Sequence, residues 1–135
     1  MASVPNARLF AEGGVSGFVG GAVATVVWLG AESAGVPTLV DVPALGPTAL
    51  QWTNFVSLGV LTGLGAALVA LLADGRRNAR RLFTIIALVM LVLSMAPLVV
   101  QPDTVALSTR IVLALTQVVL YLTVVPRLAD RLRAR

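Results

Sequence analysis

Asp74-Gly75-Arg76-Arg77-Asn78-Ala79-Arg80-Arg81 interrupts an otherwise apolar chain and holds four of its ten basic residues. Before it, an apolar run extends from Ala49 to Ala73; after it, another extends from Leu82 to Val100. At about 1.5 Å of rise per residue, roughly 20 residues cross a hydrocarbon core of about 30 Å. The cluster therefore reads as the hairpin between two membrane helices. Asp74-Gly75 marks the end of the first of them, since glycine commonly follows a helix C-terminus.

Composition extends this reading to the whole chain. Of 135 residues, 58% are hydrophobic and 12% charged, with a mean hydropathy of +0.95. A soluble domain has about 45–50% apolar residues and about 25% charged ones. The chain reads as a single all-α polytopic membrane domain, residues 1–135. Its expected spans are about 13–31, 49–73, 82–100 and 104–125, in an antiparallel up-down bundle. A polar lead-in to Glu12 precedes them, and a basic tail, residues 126–135, follows. Arg8 and the small residues around Ala31 and Ala34 are also signal-peptide features. The intervening run is long, glycine-interrupted and reaches Trp28, which favours a retained span.

Each span carries its own signals. Gly13, Gly17 and Gly21 recur every four positions, continued by Thr25, with Ser16, Gly20 and Ala24 on a neighbouring stripe. Small residues at this spacing let helix backbones approach closely in lipid. Gly59 and Gly63 repeat the pattern in the second span. These five glycines are helix-packing residues, either within the chain or between two copies of it. Segment 32–48 contains Pro37, Pro43 and Pro47 and is expected to be a loop, either resting on the membrane surface or folded over the mouth of the bundle. Trp52 fits an interfacial anchor. Pro97 is expected to bend or stop the third helix, Asp103 to cap the fourth, and Pro126 to end it.

Charge sets an orientation. Arg8, the anchors Arg76, Arg77, Arg80 and Arg81, and the tail residues Arg127, Arg131, Arg133 and Arg135 fall on one side of four spans. The opposite loops hold Glu32, Asp41 and Asp103 and no arginine. The positive-inside rule then puts both termini in the cytoplasm of a plasma-membrane protein. Arginine clusters at membrane edges also suit anionic lipid headgroups. Without a basic soluble face, no nucleic-acid partner is expected.

One charge is left inside a span. Arg110 falls seven positions after Asp103 and seven before Gln117, which puts all three on one helical face, with Tyr121 one turn beyond. Asn54, Ser57, Thr62 and Ser94 are possible neighbours, and Glu32, Asp41 or Asp103 a possible carboxylate partner. An intramembrane charge normally faces a partner or a wet cavity. Arg110, Gln117, Asp103, Glu32 and Asn54 thus form a candidate polar site. It is either structural, with Arg110 paired to Asp103 or Glu32, or a site for an anion, a lipid headgroup or a small polar solute.

From Val56 onward the chain resembles a family of small four-helix actinobacterial membrane proteins, a domain-of-unknown-function family. The carrying stretches are Gly59 to Ala73, Arg76-Arg77-Asn78-Ala79-Arg80-Arg81-Leu82-Phe83-Thr84, Leu91-Val92-Leu93-Ser94-Met95-Ala96-Pro97-Leu98, Ala106 to Gln117, and Val124-Val125-Pro126-Arg127-Leu128. The resemblance implies topology and no chemistry.

Function classes narrow accordingly. There is no cysteine or histidine, so disulfides, thiolate sites and the commonest general base and metal ligand are absent. No two carboxylates share a helix face inside the membrane, and the glycine stripe lacks the lysine of a phosphate loop. The expectation is a protein with no enzymatic activity, cofactor or metal. It would serve as an accessory or interaction subunit of a membrane assembly, or else as a small dimeric transporter or channel for an anionic or lipid-like solute. A proton-coupled exporter would need a mid-membrane carboxylate, which the first span lacks.

Overall fold

A computed structural model of the chain describes residues 4–132. The first three residues, and Arg133 to Arg135 of the basic tail, lie outside it. Its elements are α1 (Val4–Ser33), β1 (Leu39–Val42), β2 (Gly46–Ala49), α2 (Trp52–Ala73), α3 (Ala79–Val99) and α4 (Leu107–Ala129). All four helices are long and apolar enough to cross a membrane.

The helix ends differ from the expected spans for local reasons. The polar lead-in is helical from Val4, because Pro5 is tolerated in a first turn, where its missing N–H would have no partner anyway. Pro97 and Pro126 lie inside α3 and α4. Pro97 comes two residues before the end of α3, so the helix needs no further turn beyond it. α4 continues past Pro126 to Ala129 because Val124, Val125, Leu128 and Ala129 are buried in the core, and that packing outweighs one lost backbone bond. Asp103 is not a cap. It lies exposed in the turn between α3 and α4, and Ala106 occupies the N-cap position.

The proline-rich segment is a two-stranded antiparallel hairpin, not an irregular loop. Ala44 and Gly46 take positive φ in its tip, at 71° and 72°. Pro47, which has no N–H, sits opposite Asp41. The free N–H and C=O of Asp41 turn outward, and the Gln101 side-chain amide takes both, at 3.0 and 3.1 Å. One glutamine thus closes the sheet edge and ties the hairpin to the α3–α4 turn. The Thr109 hydroxyl donates to Pro37 O at 2.7 Å, fixing the same hairpin to α4.

Helix packing centres on α1. Its glycines lie against those of α2 in reverse order: Gly13 meets Gly63 and Ala67, Gly17 meets Gly59, and Gly21 meets Phe55 and Val56. The two helices are therefore antiparallel, with backbones in direct contact. Gly20, on the neighbouring stripe, faces Leu120 and Thr123 of α4. The glycine stripe is thus occupied within the chain, and the same residues cannot also seat a second copy. One hydrophobic cluster, built on Ala67, Ala70, Phe83, Val124 and Leu128, fills the arginine-rich end. A smaller one, Ala24, Trp28 and Phe55, fills the hairpin end. There the Trp28 and Phe55 rings lie 5.0 Å apart, and the buried Trp28 Nε1–H has no partner among the described residues.

Candidate functional site

The candidate residues do not form one site. Arg110 makes no ion pair among the described residues. Its guanidinium donates to backbone carbonyls: Gln101 O at 2.8 Å, Pro102 O at 2.7 Å and Val105 O at 3.3 Å. The reason is local. Arg110 is the fourth residue of α4, about 5 Å from its start, so it reaches back over the turn whose carbonyls lack helical partners. It is nearer the interface than the expected span implied. Asp103 and Glu32 are exposed. The Asn54 carboxamide accepts the Gln51 N–H at 2.8 Å and so caps α2. Arg110 belongs to a latch that holds the α3–α4 turn.

At the other end, charges pair across elements. Arg80 meets Asp130 at 2.8 Å, and Arg131 meets Glu12 at 2.6 Å. These pairs gather the α2–α3 hairpin, the end of α4 and the first third of α1 at one end of the molecule. Both are largely exposed, so each contributes at most about 1 kcal/mol. Arg77, Arg80 and Arg81 border an open surface pocket of about 540 Å³ with Thr84, Ile85 and Leu132. Arg76 is exposed.

The remaining polar residues converge elsewhere. Thr62 of α2, Ser94 of α3, and Gln117 and Tyr121 of α4 line a groove of about 410 Å³ between these three helices. The rest of its lining is apolar, including Phe83, Met90 and Leu120, and among the described residues no charged one reaches it. The groove exists because α3 packs loosely: only Ala79 and Phe83 of that helix are buried, both near its arginine-rich end. The Ser94 hydroxyl lies 2.6 Å from Leu91 O and also against Gln117 Oε1. A hydroxyl has one proton, so it serves one of these acceptors at a time. In either case the Gln117 amide keeps at least one N–H for the groove.

Sequence reasoning placed Gln117 in one polar site with Arg110 and named Thr62, Ser94 and Tyr121 only as neighbours of that site. The structure groups them without it. It also adds Gln101 and Glu12, which no spacing rule singles out because their partners, Asp41 and Arg131, are 60 and 119 positions away. Among the described residues, no three His, Cys, Asp or Glu side chains come together to hold a metal.

No curated protein and no solved structure matches the chain. A family model matches residues 5–134, so the resemblance takes in the first helix and the proline-rich hairpin as well as the stretch from Val56. With nearly its whole length matched, the chain belongs to DUF6069, a family of unknown function.

Proposed function

We propose that this is a multi-pass plasma-membrane protein with both termini cytoplasmic, acting as a non-catalytic accessory subunit that packs against another membrane protein. The observation that carries the reading is α3. It is the most apolar of the four spans, yet it buries only two residues against its own chain. Packing and interhelical hydrogen bonds hold membrane helices together, because lipid itself offers no hydrophobic drive. A helix so sparsely packed gains most from a partner. The arginine-rich end, with the exposed Arg77 and Arg81, suits the anionic cytoplasmic leaflet.

Of the transport alternative, the anionic part loses its main support, since the Arg110 guanidinium is bonded to backbone carbonyls. The lipid-like part retains the groove as a supporting observation.

Two experiments test the proposal. A photo-crosslinking amino acid at Leu88, exposed on α3, should trap a single protein species in cell membranes, whereas the same group at Val26 on α1 should yield mainly lipid adducts. Lipid adducts alone at Leu88 would exclude a partner on this face. For orientation, the chain's lack of cysteine allows single labelling sites. Leu45→Cys in the hairpin tip should react with an impermeant maleimide in intact cells, and Asn78→Cys only after lysis. The reverse pattern would overturn the assigned topology. Ala79 is unsuitable as a labelling site because it is buried.

A further inference from the structure

The groove between α2, α3 and α4 presents hydrogen-bond donors where the membrane offers no water. Among the described residues, the Thr62 and Tyr121 hydroxyls have no hydrogen-bond partner, and the Gln117 amide has at least one free N–H. Gln117 is ten residues past the start of α4, or about 15 Å, which is half of a hydrocarbon core of about 30 Å. Polar groups at this depth require partners supplied from within the site.

The character of the missing partner follows from the lining. Hydroxyl and amide N–H groups call for acceptor oxygens. Among the described residues no charged one lines the groove, so an ion would enter hydrocarbon without a counter-charge. The apolar remainder, with the Phe83 and Tyr121 rings, suits a hydrocarbon body and a flat unsaturated ring. A volume of about 410 Å³ lies within the roughly 300–1,000 Å³ of small-molecule sites. Phospholipid carbonyls stay at the interface, well above Gln117. Gln117 and Tyr121, four positions apart on α4, lie on one face of that helix and both line the groove, so one ligand can meet both.

We propose that this groove binds a neutral, membrane-soluble carbonyl compound of the lipoquinone class, with the ring oxygens on Gln117 and Tyr121 and the isoprenoid tail leaving between α2 and α3 toward lipid. The inference is independent of the accessory role and makes no claim of electron transfer.

The test uses the full chain in phosphatidylcholine nanodiscs, with menaquinone-4 as probe, and measures quinone retained per chain above that in empty discs. Saturable binding near one per chain is expected. Gln117→Leu and Tyr121→Phe should each weaken it about tenfold, the equivalent of one hydrogen bond at about 1.4 kcal/mol. Gly65→Leu should abolish it, because Gly65 borders the groove and a side chain there meets nothing within 4 Å of its Cβ. The unfolding transition of this variant should stay at the wild-type value, separating blockage from misfolding. Squalene, an isoprenoid without carbonyls, should not compete. Retention that is non-saturable, or unchanged by Gly65→Leu and Gln117→Leu, would show bulk partitioning and overturn the proposal. Equal competition by squalene would overturn carbonyl recognition.

Discussion

Gly63→Ala should be the most damaging single-methyl change in the chain. A Cβ at Gly63 would fall inside the van der Waals envelope of the Gly13 carbonyl and 2.9 Å from the Gly17 Cα. Both are backbone atoms, so no side chain can rotate aside. Overpacking a tight core costs typically about 1–3 kcal/mol; here the obstacle is main chain, and about 3 kcal/mol is expected. Gly17→Ala should behave alike, since its Cβ would meet the Gly59 carbonyl. Gly65→Ala on the same helix is the control: its Cβ would face open space, and the change should be near neutral. Denaturation in mixed micelles, followed by Trp28 fluorescence in a Trp52→Phe background, would measure all three. Trp28 lies buried against Phe55, next to the point where Gly21 contacts Phe55 and Val56, and reports separation of α1 from α2. Equal stability of Gly63→Ala and Gly65→Ala would rule out the glycine contact as the bond between these helices.

Arg110→Leu should destabilise the fold by about 2–3 kcal/mol, with insertion into the membrane intact. Two effects oppose each other. Removing an arginine from mid-bilayer would ease insertion by about 2.5–3.5 kcal/mol, but the gain falls off toward the interface, and Arg110 is only in the first turn of α4. Against this, hydrogen bonds from a charged donor contribute about 1.5–3 kcal/mol each where they are sheltered, and the side chain makes two part-buried bonds, to Gln101 O and Val105 O, beside an exposed one to Pro102 O. Loss of the latch wins. Arg110→Lys retains the charge without the guanidinium fork and should recover about half of the deficit. The latch position also predicts where the damage appears. Because Gln101 holds both backbone groups of Asp41, amide exchange should quicken in the β-hairpin before it does in α1 or α2. Unchanged stability of Arg110→Leu would return Arg110 to the role of a ligand contact.

Membrane class and the number of spans were legible because hydropathy over a 20-residue window is a local quantity. So were the helix-packing glycines: four-residue spacing places them on one face whatever that face meets. Their partner was not legible, because Gly13 fits another glycine stripe equally well whether it comes from the same chain or from a second one. Prolines were a mixed guide. Pro97 does stand near the end of α3, but Pro126 suggested an end that α4 passes, because a lost backbone bond is a fixed local cost and burial of Val125, Leu128 and Ala129 around Pro126 exceeds it. Pro43 and Pro47 excluded a helix correctly. Only pairing with Asp41, and the distant amide of Gln101, made the segment a sheet.

The polar residues divide in the same way. Sequence alone determined that Arg110, Gln117 and Tyr121 would share one side of the fourth helix, since that follows from a period of 3.6 residues. Tertiary structure decided that they serve two different purposes. Arg110 lies close enough to the α3–α4 turn to satisfy carbonyls that have no other donor. Gln117 and Tyr121, about two and three turns past Arg110 along α4, face the gap left where α3 stands away from α2. The width of that gap depends on how tightly α1 draws α2 and α4 together, a sum of contacts across the whole molecule that no local window contains.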